Sequence, residues 1–279
     1  MSRSAPSVRP ARRAPAAAGL ASLVVAVLAA PSLGAQRAPD AAPPAPFTMA
    51  QLKGYPFPTE LTAAATGSRI AWAFDERGRR NVFVAEGPAF AARALTRYGE
   101  DDGQELTSVS LSADGRWVVF VRGGEHGSNW DDAVPVNPTS MPNGAKVQLM
   151  VVPFDGAAAP RVIADGGDEP ALSPDGRTVA FVKDRAVWTA PLDGSAAARR
   201  ILAVRGDPSE LRWSPDGARL AFVSGRGDHA FVGVWSGDSV PVRWIAPSTS
   251  RDGSPRWSPD GARLAFVRRP GSGGAPDSI

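Results

Sequence analysis

One eleven-residue pattern recurs four times in the chain and constrains the fold more than any other feature of the sequence. Each copy has a Ser-Pro-Asp-Gly or Ser-Ala-Asp-Gly tetrapeptide followed by a short apolar run. The glycines of these copies lie 61, 41 and 44 residues apart, and a weaker copy at residues 66–74, aligned through Ser68, adds a spacing of 47 residues. Such a period indicates a repeat architecture. The four copies span residues 111–121, 172–182, 213–223 and 257–267.

Each copy predicts a β-hairpin. The serine can accept a local backbone hydrogen bond, proline fixes the first turn angle, aspartate tolerates the second, and glycine takes the left-handed position. The apolar run that follows, as at residues 219–223, predicts a strand buried on both faces between neighbouring sheets. We therefore interpret the recurring turn residues as structural. They are Asp114, Gly115, Asp175, Gly176, Asp216, Gly217, Asp260 and Gly261.

Two further strands follow each hairpin. The third is predicted at residues such as 147–152 and 186–190, and the fourth after an Asp-Gly turn, as at 161–163 and 200–202. Four strands per period predict an all-β fold, a β-propeller of four-stranded blades. About five blades are expected, the last without its outer strands, so the ring is predicted to be incomplete; a small natural propeller is the alternative.

The first 35 residues are typical of a secretory signal. Arginines precede an apolar run at residues 16–30, and small residues precede Gln36, which predicts cleavage after Ala35. A membrane anchor is the alternative, but the run has 15 residues where a span needs about 20. We expect an exported protein, periplasmic or extracellular, with no stable membrane span after cleavage. Residues 36–58 read as a proline- and alanine-rich tether, and 59–279 as the partial propeller.

Charge and composition exclude several classes of function. The net charge of +3 comes from the signal-like segment, since the chain from Gln36 onward has 27 basic and 28 acidic residues. This balance removes the argument for a nucleic-acid partner. The chain has no cysteine, which excludes disulfides, zinc ribbons and cysteine nucleophiles, and its two histidines are His126 and His229. No cofactor and no metal site are predicted.

The repeated Ser-Pro-Asp-Gly with its Arg-Leu-Ala-Phe-Val run resembles the TolB-like propeller repeat over residues 59–269. That repeat occurs in periplasmic TolB and in the N-terminal propeller of the prolyl oligopeptidase family of serine peptidases. The latter resemblance implies a propeller that gates and positions peptides for a C-terminal α/β-hydrolase domain with a Gly-x-Ser-x-Gly nucleophile. The chain contains no such motif, so no catalytic residue is predicted and the hydrolase domain is an expected partner. The alternative is a TolB-like module that binds another protein.

An insertion at residues 123–145 accounts for the longest repeat spacing. It contains His126, Asn129, Trp130 and Asp131. The favoured interpretation is a surface loop packed by Trp130; the alternative is that these four residues line a substrate path near the central tunnel. A single histidine among acidic residues does not favour a metal site. Residues 100–103 lack the spacing of a calcium loop, and His229 is expected in a hairpin loop after an Arg-Gly-Asp triplet that we do not read as an adhesion motif.

Overall fold

The computed structural model describes residues 48–49, 57–123 and 146–270. The described part from residue 57 onward consists of antiparallel β-sheets and belongs to one compact unit, 47–279. In these ranges the strands form four four-stranded blades and one further hairpin. The predicted all-β propeller fold is therefore confirmed.

The first two blades are antiparallel sheets in which the strands pair in chain order. Blade one consists of β1 (Phe57–Ala63), β2 (Arg69–Glu76), β3 (Arg79–Glu86) and β4 (Arg93–Ala94); blade two consists of β5 (Leu106–Leu111), β6 (Trp117–Arg122), β7 (Gln148–Pro153) and β8 (Arg161–Asp165).

Blades three and four repeat this order. Blade three consists of β9 (Asp168–Leu172), β10 (Thr178–Lys183), β11 (Ala186–Pro191) and β12 (Arg199–Ala203); blade four consists of β13 (Asp207–Trp213), β14 (Leu220–Gly225), β15 (Ala230–Trp235) and β16 (Arg243–Trp244).

The fifth repeat is a two-stranded hairpin within the described residues. It pairs β17 (Arg251–Trp257) with β18 (Leu264–Arg269), and its strand pairing with blade four is one parallel bridge, between Ala230 and Arg251. As the repeat predicts, the inner strands β5, β9, β13 and β17 end immediately before their Ser-x-Asp-Gly turns.

The first strands of successive blades line one side of the assembly. Strand β5 contacts both β1 and β9, and β13 contacts both β9 and β17. Contacts between the first strands of neighbouring blades identify these strands as the inner ones, around the propeller axis. Each blade then extends outward through its second, third and fourth strands.

The core lies between blades rather than within one. Three apolar clusters fill the interfaces between blades one and two, two and three, and three and four. Phe120, Phe181 and Phe222, which occupy the same repeat position on the second strands, are completely buried. Short Ala and Val neighbours on these strands let adjacent sheets approach closely enough to enclose the rings.

Both ends of the described arc expose apolar residues that the same repeat buries elsewhere. On β18, Phe266 is half-buried and Val267 is 46% exposed, although the equivalent Val223 of β14 is 5% exposed. At the other end, Leu61 of β1 is 73% exposed. The burial of a repeat position is therefore set by the neighbouring blade and not by the strand sequence.

The structure corrects the alignment of the first, weaker copy. Gly67, not Ser68, is equivalent to the turn glycine Gly115: it has a φ of +85°, and the Ala64 N–H donates to Arg69 O at 3.0 Å as Ser112 does to Trp117 O at 2.9 Å. The first repeat spacing is therefore 48 residues. Strand β1 begins at Phe57, two residues inside the segment predicted as tether.

Candidate functional site

The blade topology divides the loops between two faces. The turn face contains the Ser-x-Asp-Gly turns and the connections from third to fourth strands. The loop face contains the hairpins from second to third strands and the connections between blades. Within the described residues the loop face comprises residues 77–78, 95–105, 123, 146–147, 166–167, 184–185, 204–206, 226–229 and 245–250.

The predicted substrate-path residues His126, Asn129, Trp130 and Asp131 lie outside the described residues. The residues on either side of this insertion are on the loop face, where the backbone N–H of Gly123 donates to Glu105 O at 3.0 Å. Lys146 Nζ lies 3.2 Å from Asp165 Oδ2. A Cβ added at Gly123 would lie 2.3 Å from Lys146 O, so the insertion leaves blade two and returns to it at one place. The assignment of a substrate path to this insertion stays a prediction.

Each of the four Ser-x-Asp-Gly turns on the turn face has the same pattern of local hydrogen bonds. In blade four, Ser214 Oγ donates to Asp216 Oδ1 at 2.5 Å and accepts the Arg219 N–H at 2.9 Å, while Asp216 Oδ1 accepts the Ala218 N–H at 3.0 Å. The other three turns have the same bonds within 0.2 Å. One hydroxyl thus satisfies both a carboxylate and a backbone amide at the start of the next strand or one residue before it. The glycines Gly115, Gly176, Gly217 and Gly261 have φ between +66° and +69°.

These bonds favour the ionised aspartate. The Ser173 hydroxyl and the Arg177 N–H hold the pKa of Asp175 below its usual range, and the equivalent bonds from Ser214 and Ala218 lower that of Asp216. The pKa of Asp260 is lowered in the same way. For Asp114, burial acts to raise the pKa, but the bonds from Ser112 and Arg116 outweigh it. In each turn the carboxylate is occupied by its own hairpin, which leaves it poorly suited to proton transfer.

Adjacent blades are joined by a second set of repeated bonds. Trp213 Nε1 donates to Ala171 O, and Trp257 Nε1 to Arg212 O, both at 3.0 Å. Each tryptophan thus reaches back to the inner strand of the preceding blade. Arg219 Nη2 donates to Gly261 O at 2.8 Å with its guanidinium 4.7 Å from the Trp257 ring centroid. The two tryptophans therefore act in blade packing.

Every inner strand also contains a bulge that the sequence did not reveal. The strand pairing shifts register once in each inner strand, and one non-glycine residue there has a left-handed φ between +50° and +59°. The five residues lie seven positions before the turn glycine. They are Glu60, Ser108, Glu169, Glu210 and Ser254.

Carboxylates at two of these bulges connect successive blades. Glu169 Oε2 accepts the Glu210 N–H at 2.6 Å, and Glu210 Oε2 accepts the Ser254 N–H at 2.6 Å. The left-handed conformation turns each N–H toward the preceding blade, where a charged acceptor makes a strong hydrogen bond. These bonds compensate for the backbone strain at the bulges. They fix the inner strands that surround the axis.

The loop face between blades one and two carries a network of charged pairs. Arg80 lies 3.1 Å from Glu105 Oε1 and 3.5 Å from Asp75 Oδ2. Asp102 pairs with Arg122 and accepts the Gln104 N–H at 3.0 Å. Asp102 is thus directed to an arginine and to the backbone, and residues 101–103 have no regular secondary structure.

The described ranges contain neither a metal-binding cluster nor a membrane-spanning helix. Among those residues no group of three or more histidine or carboxylate side chains could hold a metal ion. In the same part of the chain, no helix has the length and apolar character needed to cross a membrane.

Comparison with solved structures identifies the architecture. The chain matches TolB from Acinetobacter baumannii with a TM-score of 0.51 and 18% identity, over 74% of this chain and 47% of that one. The fold is that of a TolB-like β-propeller. The chain also matches a prolyl endopeptidase, with a TM-score of 0.52 and 14% identity over 72% of this chain and 31% of that one. A puromycin-hydrolysing peptidase from Mycobacterium tuberculosis matches with a TM-score of 0.52 and 18% identity over 77% of this chain and 35% of that one.

No protein-family model matches the chain, and neither does any curated protein. The chain spans about half the length of the TolB structure and about a third of each peptidase. At these identities the similarity establishes the TolB-like fold, which the sequence resemblance predicted, and it leaves the activity to be proposed.

Proposed function

We propose that this chain is the propeller part of an exported serine peptidase of the prolyl oligopeptidase family, and that it gates and positions peptides for a hydrolase domain. The observation that carries the proposal is that the described arc matches about a third of two peptidase chains, including a prolyl endopeptidase. The proposal extends this structural similarity to function by analogy.

Two features of the chain support a role for the loop face in handling peptides. The insertion at residues 123–145, which has no equivalent in the other repeats, leaves blade two and returns to it there. The turn face, in contrast, is occupied by repeated hairpin bonds. A loop of variable length on a rigid scaffold is the usual place for substrate contacts.

The alternative function is that of an exported TolB-like module that binds another protein. The match to TolB, with a TM-score of 0.51, favours it directly. The apolar faces at β1 and β18 are compatible with either function.

The sequence of the gene beyond codon 279 separates the two. The peptidase proposal expects further Ser-Pro-Asp-Gly blades followed by Gly-x-Ser-x-Gly, then Asp and His in that order. A stop codon after one or two additional blades, with no hydrolase segment, would contradict it and support the binding module.

A further inference from the structure

A polar cavity of about 360 Å³ lies on the loop face between blades three and four. Three segments form it: the hairpin of blade three at Arg185, the connection at Arg205 and Asp207, and the hairpin of blade four from Gly225 to His229. Nothing in the proposed function uses this cavity.

Some of the charged side chains at the cavity form ion pairs and others do not. Arg185 Nε lies 2.7 Å from Asp207 Oδ1, and His229 Nδ1 lies 2.6 Å from Asp228 Oδ1. The contact with His229 is the largest cause that holds the pKa of Asp228 below its usual range. Arg205 and Arg226, in contrast, have no carboxylate within ion-pair distance among the described residues. The cavity therefore contains two unneutralised guanidinium groups.

One buried serine contacts both arginines, the backbone of Arg205 and the guanidinium of Arg226. Ser224 Oγ donates to the backbone carbonyl of Arg205 at 2.6 Å and accepts from Arg226 Nε at 3.4 Å. The Arg226 guanidinium also lies 4.5 Å from the Phe231 ring centroid and 5.1 Å from that of Trp244. A guanidinium held this way loses little additional freedom when it binds an anion.

We propose that this cavity binds the carboxylate of a peptide, through Arg205 and Arg226. The planar guanidinium fork matches a carboxylate in two parallel hydrogen bonds. A Cβ added at Gly227 would meet no atom within 4 Å, so a ligand can approach the backbone of the hairpin. The carboxylates of Asp207 and Asp228 beside the arginines disfavour a dianion such as phosphate and leave a single negative charge as the best match.

The inference rests on the proposed function only in taking the ligand to be a peptide. The carboxylate can come from a peptide C-terminus or from an acidic side chain. Three probes distinguish these sources: acetyl-tetra-alanine with a free carboxylate, the same peptide as its C-terminal amide, and that amide with one internal glutamate.

The test is calorimetric titration of the full 279-residue chain and four variants with these probes and with inorganic phosphate. We expect the free carboxylate or the glutamate peptide to bind about tenfold more tightly than the neutral amide, because charge-assisted hydrogen bonds are the strong ones. R205Q and R226Q should each weaken binding about tenfold, and R226K, which keeps the charge but loses the fork, should have a smaller effect. R200Q removes the same charge from the exposed outer strand β12 and should leave affinity unchanged.

Thermal unfolding of each variant shows whether it is folded, and the exposed Arg205 provides the cleaner test if R226Q is destabilised. Equal binding of all three peptides, unaffected by R205Q and R226Q, would overturn the cavity assignment and leave peptide handling intact. Binding of no peptide, or tighter binding of phosphate, would also overturn it. The peptidase proposal is decided separately by the sequence beyond codon 279.

Discussion

In each Ser-x-Asp-Gly turn the serine hydroxyl links the aspartate to the backbone on the far side of the turn. It donates a hydrogen bond to the aspartate carboxylate and accepts one from the backbone N–H two residues after the turn glycine. Ser214 is completely buried, whereas Ser258, with the same bonds, lies in the last hairpin and is half-buried. The cost of removing such a hydroxyl depends on whether water can replace it. The two serines therefore allow the same hydrogen bonds to be compared at two different degrees of burial.

Ser214→Ala should lower the free energy of unfolding by about 1–3 kcal/mol, because the Arg219 N–H and the Asp216 carboxylate both lose a partner that is itself completely buried. Ser258→Ala should cost less than about 1 kcal/mol, since water can reach its turn. Urea denaturation of the two variants and the parent measures both. An equal loss for the two serines would contradict the account of the turn.

The left-handed bulge residues mark the limit of prediction at this scale. The turn glycines were predictable because only glycine takes their conformation without strain. Glu210 and Ser254 give no such local signal. Their conformation depends on bonds to the neighbouring blade, as from the Ser254 N–H to Glu210, and a single strand does not encode that geometry.

At the scale of the element, nearly identical strands have different energetic roles. Strand β14 (Leu220–Gly225) is buried between blades, and β18 (Leu264–Arg269), which shares its Leu-Ala-Phe-Val sequence, is mostly exposed. Hydrophobic pattern predicted both strands correctly. It could not predict their burial, because that depends on which blade lies beside them.

Phe181→Ala on β10 should lower the free energy of unfolding by about 3–5 kcal/mol, because it leaves a cavity between blades two and three. Phe266→Ala at the same repeat position on β18 should cost less, about 1–2 kcal/mol, because this ring is only partly buried and has no further blade on its outer side among the described residues. Chemical denaturation of both variants tests this difference. A loss of similar size at the two positions would mean that β18 is covered in solution.

At the scale of the whole molecule, the four turn aspartates act together on stability. The pKa values of Asp114, Asp175, Asp216 and Asp260 are all lowered in the fold. An acid with a lowered folded pKa contributes stability that is complete above its unfolded pKa, near 3.9, and is lost as the pH falls through the folded value. The repeat therefore builds acid sensitivity into each of the four hairpins that contain a Ser-x-Asp-Gly turn.

The contribution of these groups to the midpoint temperature of thermal unfolding should be nearly constant from pH 7 to about pH 5. The midpoint temperature should then decrease when the pH drops below about 4. Asp175→Asn should be less stable than the parent at pH 7 and should lose less stability on acidification. Unfolding curves between pH 3 and pH 7 measure both effects. A parent and a variant with the same acid dependence would remove Asp175 from this account.

The central functional claim is that the propeller positions peptides for a hydrolase domain and does not itself cleave them. The most direct measurement compares hydrolysis of a short alanine- or proline-containing peptide by the purified 279-residue chain and by the gene product extended through the predicted hydrolase domain. The extended product should hydrolyse the peptide and the 279-residue chain should not, because it has no nucleophile motif. Hydrolysis that copurifies with the 279-residue chain, or an extended product without activity, would contradict the claim.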